Sequence, residues 1–261
     1  MWKKQKTGFT LIELLVVIAV ISILLSALTP SLNRAKEAGK RAVCLYNTRN
    51  LAIAVLNYCQ DNDGFFPSCN SGQNGPNCKG WVTTVLDKGM YVFPIPTSPI
   101  EVQLKSLRQG SIYPYIETEG VYHCPVAKIT ETRTYSMFVS INVGSAWLGP
   151  NITKLNEIRN SGSRGLFIDD YMDNWDADWT IYYDRPQWWN PIPMRHGKGT
   201  VLSCADGHSE WWDWKDSRTV EIAKLSWADA ESKRGTALFN QPDNPDLIKS
   251  QMTTWGRLGY K

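Results

Sequence analysis

From Phe9 to Leu28 the chain runs through twenty residues whose one charge is Glu13. At about 1.5 Å per residue, a helix over this run reaches ~30 Å, the thickness of a bilayer's hydrocarbon core. Beyond Pro30 the helical step continues but the pattern becomes one-sided. Leu32, Ala35, Ala38, Ala42, Leu45, Ala52, Leu56 and Cys59 recur at steps of three, four or seven, with Lys36, Glu37, Lys40, Arg41 and Asn47 on the other face. The pattern predicts one helix of about fifty residues, apolar all round at first and amphipathic afterwards. Pro30 removes a backbone hydrogen bond and should bend or loosen it. Asp61-Asn62-Asp63-Gly64 ends it, with Gly64 suited to a left-handed cap.

The remaining segments are shorter. Trp81–Leu86 reads as a short helix or strand, 92–99 as a surface loop, and Gly120–Cys124 as a short strand stopped by Pro125. Thr134–Ile141 is a strand candidate, Ile152–Arg159 a short helix, and Gly165–Asp170 a buried strand ending in carboxylates. Thr200–Ala205 and Glu210–Trp214 are strands around Asp206-Gly207, the signal for a two-residue turn with positive φ at both positions. Ser217–Ser232 reads as an amphipathic helix with Val220, Ala223, Trp227 and Ala230 on one face. A last helix starts at Asn244-Pro245, proline in its first position, and runs toward Trp255.

Charge orients the apolar run. Lys3, Lys4 and Lys6 precede it and no Lys or Arg follows until Arg34, so the N-terminus stays in the cytoplasm and the rest is exported. A secretory signal peptide shares the basic start and apolar core, but this run is longer and no small-x-small cleavage site closes it. Glu13 stands out, because a carboxylate in an apolar segment is costly and usually functional. The net charge of +3 suggests no nucleic-acid footprint. Six cysteines in an exported chain point to an oxidising compartment and disulfides. Cys69 and Cys78 flank a loop of turn-forming residues, and a bond between them would contribute about 2–3 kcal/mol; a metal site there is the alternative, with no His nearby. Cys124 could reach Cys44 or Cys59 on the long helix, and Cys44–Cys124 is the pairing carried forward.

Gly8-Phe9-Thr10-Leu11-Ile12-Glu13 resembles the type IV prepilin cleavage and methylation site. The resemblance implies a leader at residues 1–8 that ends at Gly8, a mature chain that begins at an N-methylated Phe9, and prepilin peptidase as the processing partner. It implies a transmembrane and assembly helix at 9–30, with Pro30 where many pilins carry a helix-bending proline. A head at 31–261, including the second half of the helix, would be periplasmic or extracellular. A cut before Phe9 also frees an ammonium at the positive end of a helix dipole. Glu13, one turn on, can neutralise that ammonium or a neighbour's and so set subunit register. His196, nine intervening residues and Asp206-Gly207 resemble the processing-associated H-x(9)-D-G element of pilin-like proteins. Cys44 with Asn47 or Asn50, Asp61 to Pro67, and Cys124-Pro125 agree more loosely. Together these imply an α+β pilin-like fold, a long N-terminal helix packed on an antiparallel sheet. The function implied is a structural subunit, a minor pilin or pseudopilin of a type IV pilus or type II secretion system. Its partners would be other such subunits and the inner membrane, spanned once.

Other chemistry is thin. Asp169, Asp170, His196, Asp206 and His208 lie at strand ends and could converge on a divalent metal, calcium ahead of zinc because carboxylates outnumber histidines. Against this, Asp206 belongs to a turn and backbone carbonyls can satisfy both histidines, so no cofactor is expected. There is no nucleophile elbow, P-loop or dinucleotide fingerprint, and nothing positions Ser203 for a triad, so the chain reads as a non-enzyme. Twelve tryptophans are unusual. Trp175, Trp179, Trp188, Trp189, Trp211, Trp212 and Trp214 are dense enough to form an aromatic surface, with one set in the core and the other facing a partner or ligand. A membrane-tethered glycan-binding module is therefore the alternative reading. A tethered metallohydrolase at His196, Asp206 and His208 is a third.

Overall fold

In the computed structural model the long helical pattern is realised as a single helix, α1 (Leu11–Asp61). The structure describes residues 11–72, 74, 75, 78–87, 89–143 and 149–260. The chain divides into two compact units, one ending at Lys40 and the other starting at Arg41. In the first, every side chain from Leu11 to Gly39 is exposed. The helix continues through Pro30. The hydroxyls of Ser22 and Thr29 donate to the carbonyls of Ile18 and Leu25, each at 2.7 Å, so these polar groups are satisfied within the apolar run.

In the second unit α1 buries Cys44, Asn47, Thr48, Leu51, Ala52, Ala54, Val55 and Cys59. The stripe is turned relative to the one expected from sequence. Ala42 is exposed, Leu45 and Leu56 are half-buried, and Asn47, expected on the solvent face, is inside. Asn47 is tolerated there because its Nδ2 donates to the His123 carbonyl at 3.0 Å. Past Asp61 the Gly64 amide closes the helix onto the Cys59 carbonyl at 2.8 Å, with Gly64 at φ 80° as its cap position requires.

Two small hairpins follow, β1 (Asn74–Gly75) with β2 (Cys78–Lys79) and β3 (Val85–Asp87) with β4 (Met90–Val92), then α2 (Ile100–Arg108). The main sheet comprises β5 (Tyr135–Phe138), β6 (Gly165–Asp169), β7 (Asp178–Trp179), β8 (Gly199–Cys204) and β9 (Ser209–Asp213), in the spatial order β7-β5-β6-β8-β9. The architecture is α+β and pilin-like, but the sheet is not wholly antiparallel: β5 and β7 pair in parallel through Met137↔Asp178 and Phe138↔Trp179. Every residue of β5, β6 and β8 is buried, so the centre of the sheet is covered on both faces.

Three helices complete the chain: α3 (Ser217–Ala223), α4 (Trp227–Ser232) and α5 (Pro245–Trp255). The single helix expected over 217–232 is broken because Asp216 and Ser226 each cap a new start, accepting from the amides of Arg218 and Asp229. Asn244 caps α5 through the amides of Asp246 and Leu247, with Pro245 in the first turn as expected. Two further expectations give way to 3-10 turns, at Glu119–Tyr122 in place of a strand and at Leu155–Glu157 in place of a longer helix.

The tryptophans explain the core. Phe138, Trp179, Trp188, Trp214 and Trp212 form an edge-to-face series with centroids 5.5, 6.3, 6.3 and 6.0 Å apart. Three of the four indoles have a polar partner: Trp179, Trp188 and Trp214 donate to the Pro191 carbonyl, Gln241 Oε1 and the Pro193 carbonyl.

Candidate functional site

Two features stand apart from ordinary core packing. One is the first half of α1, where Leu, Ile and Val side chains from Leu11 to Leu28 are exposed in a helix long and apolar enough to cross a membrane. Glu13 lies in its first turn. The scissile pair expected from sequence, Gly8-Phe9, lies outside the described residues.

The other is a buried cluster drawn from four distant segments. Cys44 comes from α1, Cys124 follows the 3-10 turn at Glu119–Tyr122, Asp169 ends β6, and His196 precedes β8. The two sulfurs are 3.0 Å apart. Cys124 Sγ is 3.4 Å from His196 Nε2, which is 3.7 Å from Asp169 Oδ2. All four side chains are buried. The backbone around Cys124 is fixed on both sides, its amide donating to Thr134 Oγ1 at 2.6 Å and the preceding carbonyl accepting from Asn47. Arg195 Nε approaches Asp169 Oδ1 at 3.5 Å while Arg195 Nη2 donates to Glu131 Oε2 and the Asp170 carbonyl. Burial, followed by the charge of Cys124, raises the Asp169 carboxyl well above its ordinary range. The contact between the sulfurs, then burial, raises the Cys44 thiol; the same contact, aided by His196 and the Val126 amide, lowers that of Cys124.

Of the five residues expected at a metal site, the structure brings Asp169 and His196 together and separates the other three from them. Asp170 accepts from Asn174 Nδ2 at 2.7 Å and the Tyr171 amide at 2.8 Å. Asp206 and His208 lie past the other end of β8, on the exposed hairpin, where Asp206 Oδ1 is 2.6 Å from His208 Nδ1. His208 also comes within reach of Cys204 and Glu210. The ends of the H-x(9)-D-G element therefore serve different places, a buried cluster and a turn. That turn differs from the expected one. The Gly207 amide bonds to the Cys204 carbonyl, Gly207 alone has positive φ, at 89°, and Asp206 does not. It is a four-residue turn with glycine closing it in the left-handed region, a three-residue loop in place of a two-residue one.

Cys44 and Cys124, expected as a pair, are neighbours; their sulfurs are 3.0 Å apart, beyond the ~2.05 Å of a disulfide. Cys69 is buried, and the side chain of Cys78, its expected partner, lies outside the described residues. Reading Cys44 and Cys124 as a disulfide and the His and Asp residues as a separate metal site missed that the two sets meet. The shared signal was Cys124-Pro125 and His196 recurring in one family resemblance.

The chain carries a prokaryotic N-terminal methylation motif, matched over residues 3–29. Over 123 residues the chain is 27% identical to the type II secretion system core protein G of Pseudomonas aeruginosa, covering 44% of this chain and 82% of that one. No solved structure matches. The methylation motif thus opens directly into the exposed apolar half of α1.

The alternatives lose their footing in the same geometry. Trp179, Trp188, Trp212 and Trp214 are buried, and the half-buried Trp189 and Trp211 are covered by Arg234 and Arg41 at 4.7 and 4.5 Å from the ring centres. Trp175 is exposed but packs edge-on against Phe93. The flat aromatic platform expected for a glycan is not formed by these seven rings. Ser203 is fully buried within β8, out of reach of a substrate.

Proposed function

We propose that the chain is a structural subunit, a minor pilin or pseudopilin, of a type IV pilus or type II secretion system. Prepilin peptidase cuts it after Gly8 and methylates Phe9. Before assembly it spans the inner membrane once, N-terminus in the cytoplasm and head in the periplasm; afterwards the same helix packs against those of other subunits. The observation that carries this reading is the methylation motif opening into a helix whose Leu11–Gly39 side chains are all exposed. Exposed apolar area of that extent requires lipid or like helices as its surroundings. Glu13 in the first turn lies where a processed N-terminal ammonium, its own or a neighbour's, gains from a carboxylate.

Mass spectrometry of the native protein tests the processing step. The mature chain should begin at Phe9 and carry an N-methyl group, and Gly8→Val should leave the leader attached, because a β-branched side chain crowds a protease site built around bare backbone. A Met1 terminus in membranes that contain the peptidase would contradict the proposal.

A further inference from the structure

The buried cluster has a chemistry that filament assembly does not use. We propose that Cys44, Cys124, His196 and Asp169 form a four-coordinate site for a transition-metal ion, with zinc as the ion its donors suit. The reasoning starts from the donors. Two thiols, an imidazole and a carboxylate are the groups that bind Zn²⁺ in tetrahedral sites, whereas calcium takes six or more oxygens. Cys44 Sγ, Cys124 Sγ and one nitrogen of His196 all lie within 4.8 Å of one another. Around zinc, sulfurs stand ~3.8 Å apart, sulfur and nitrogen ~3.5 Å, and nitrogen and oxygen ~3.3 Å, from the usual metal–ligand lengths. The sulfur–nitrogen and nitrogen–oxygen separations here are 3.4 and 3.7 Å, within a few tenths of those values. The sulfur pair, at 3.0 Å, would have to open, and the Asp169 carboxylate, which stands outside the group formed by the other three donors, would have to close in on the ion.

The fourth donor is the independent observation. Asp169 is fully buried and neither of its carboxylate oxygens has a hydrogen-bond partner. A buried carboxylate without hydrogen bonds is strongly unfavourable unless a cation compensates it. Arg195 Nε, at 3.5 Å, faces Oδ1, and Oδ2 is the oxygen turned toward His196. A Cys44–Cys124 disulfide would consume the sulfurs and leave that oxygen unprovided for; an ion held by both sulfurs and the nitrogen would put a cation beside it, bound by Oδ2 once the carboxylate closes in. Because the donors come from α1, the segment after the 3-10 turn, β6 and the approach to β8, one ion would tie the buried half of α1 to the head. Such a site stabilises the folded chain directly, since the unfolded chain does not hold its ligands together.

The test uses the full-length protein purified from its exported form. Elemental analysis should find one zinc per chain. Exchange into cobalt(II) should give the visible bands of a tetrahedral ion and the near-ultraviolet absorption of a cobalt–thiolate bond. Chelation should lower the melting temperature, and zinc should restore it. Asp169→Asn should change the cobalt bands while keeping the thiolate absorption; Cys204→Ser, in the separate group of Cys204, His208 and Glu210, should change neither. A Cys44–Cys124 disulfide peptide from metal-free native protein would overturn the proposal. So would reduced wild type that takes up no cobalt, or thiolate absorption that vanishes in Cys204→Ser.

Discussion

Leu24 and Leu51 belong to one helix, yet Leu24 is 57% exposed and Leu51 is fully buried. The difference holds along both halves of α1. Up to Gly39 nothing is buried, although the run from Leu11 to Leu28 is almost wholly apolar; from Cys44 to Cys59 a stripe is buried although it includes Asn47 and Thr48. In the second half the chain supplies partners even for polar groups, His123 for Asn47 and Ser209 for Thr48. In the first, among the described residues, it supplies no cover for apolar ones. The second half is thus built for contacts within a molecule, the first for contacts with lipid or with other molecules.

The largest expected effects contrast these two leucines. Leu51→Ala should destabilise the head by about 2–5 kcal/mol, the cost of a cavity in a packed core, read by denaturant unfolding. Leu24→Ala should leave the same unfolding midpoint unchanged. Equal losses in the two variants would break the distinction between the halves.

The hairpin at Gly207 probes how firmly the second half is held, because a side chain at Gly207 would meet Leu56 and Ile53 only at ordinary contact distance, 3.7 and 3.9 Å. The cost of Gly207→Val is therefore backbone strain at φ 89°, about 1–3 kcal/mol. Asp206→Asn should cost a few tenths of a kcal/mol, as suits an exposed pair. Burial pushes the Asp206 carboxyl up, but hydrogen bonds from the His208 amide and ring hold it below its ordinary value. A lowered folded-state pKa contributes stability above the unfolded value of about 3.9 and loses it as pH falls through the folded value. Wild type and Asp206→Asn should accordingly differ at neutral pH and converge in acid. A large loss in the Asn variant at neutral pH would point to more than a turn.

Periodicity and punctuation made much of this fold legible. The end of α1 at Asp61, the strand from Gly165, both strands of the β8–β9 hairpin and the Asn244-Pro245 start of α5 follow from local pattern and capping chemistry. What local pattern could not show depends on partners elsewhere. Asn47 is inside because a carbonyl from another segment awaits it, and helical spacing alone assigns it to the polar face. The parallel pairing of β5 with β7 is a matter of chain path. The divided helix over 217–232 was open to a closer reading of its capping residues, since Ser226 stands three positions before the Asp229 amide that it caps. The cluster of Cys44, Cys124, His196 and Asp169 was legible only as separate residues, because four segments far apart in sequence meet there.

Glu13 connects the exposed half of α1 to its proposed surroundings, and filament incorporation is the measurement that tests this most directly. Filaments sheared from cells or assembled from the secretion system should contain the wild-type chain beside the other subunits. Glu13→Leu should enter the membrane and keep the unfolding midpoint of its head, yet be depleted from the filament fraction, because the carboxylate proposed to set register is gone. Incorporation of the Leu variant at the wild-type level, or a wild-type chain absent from every filament fraction, would contradict the account.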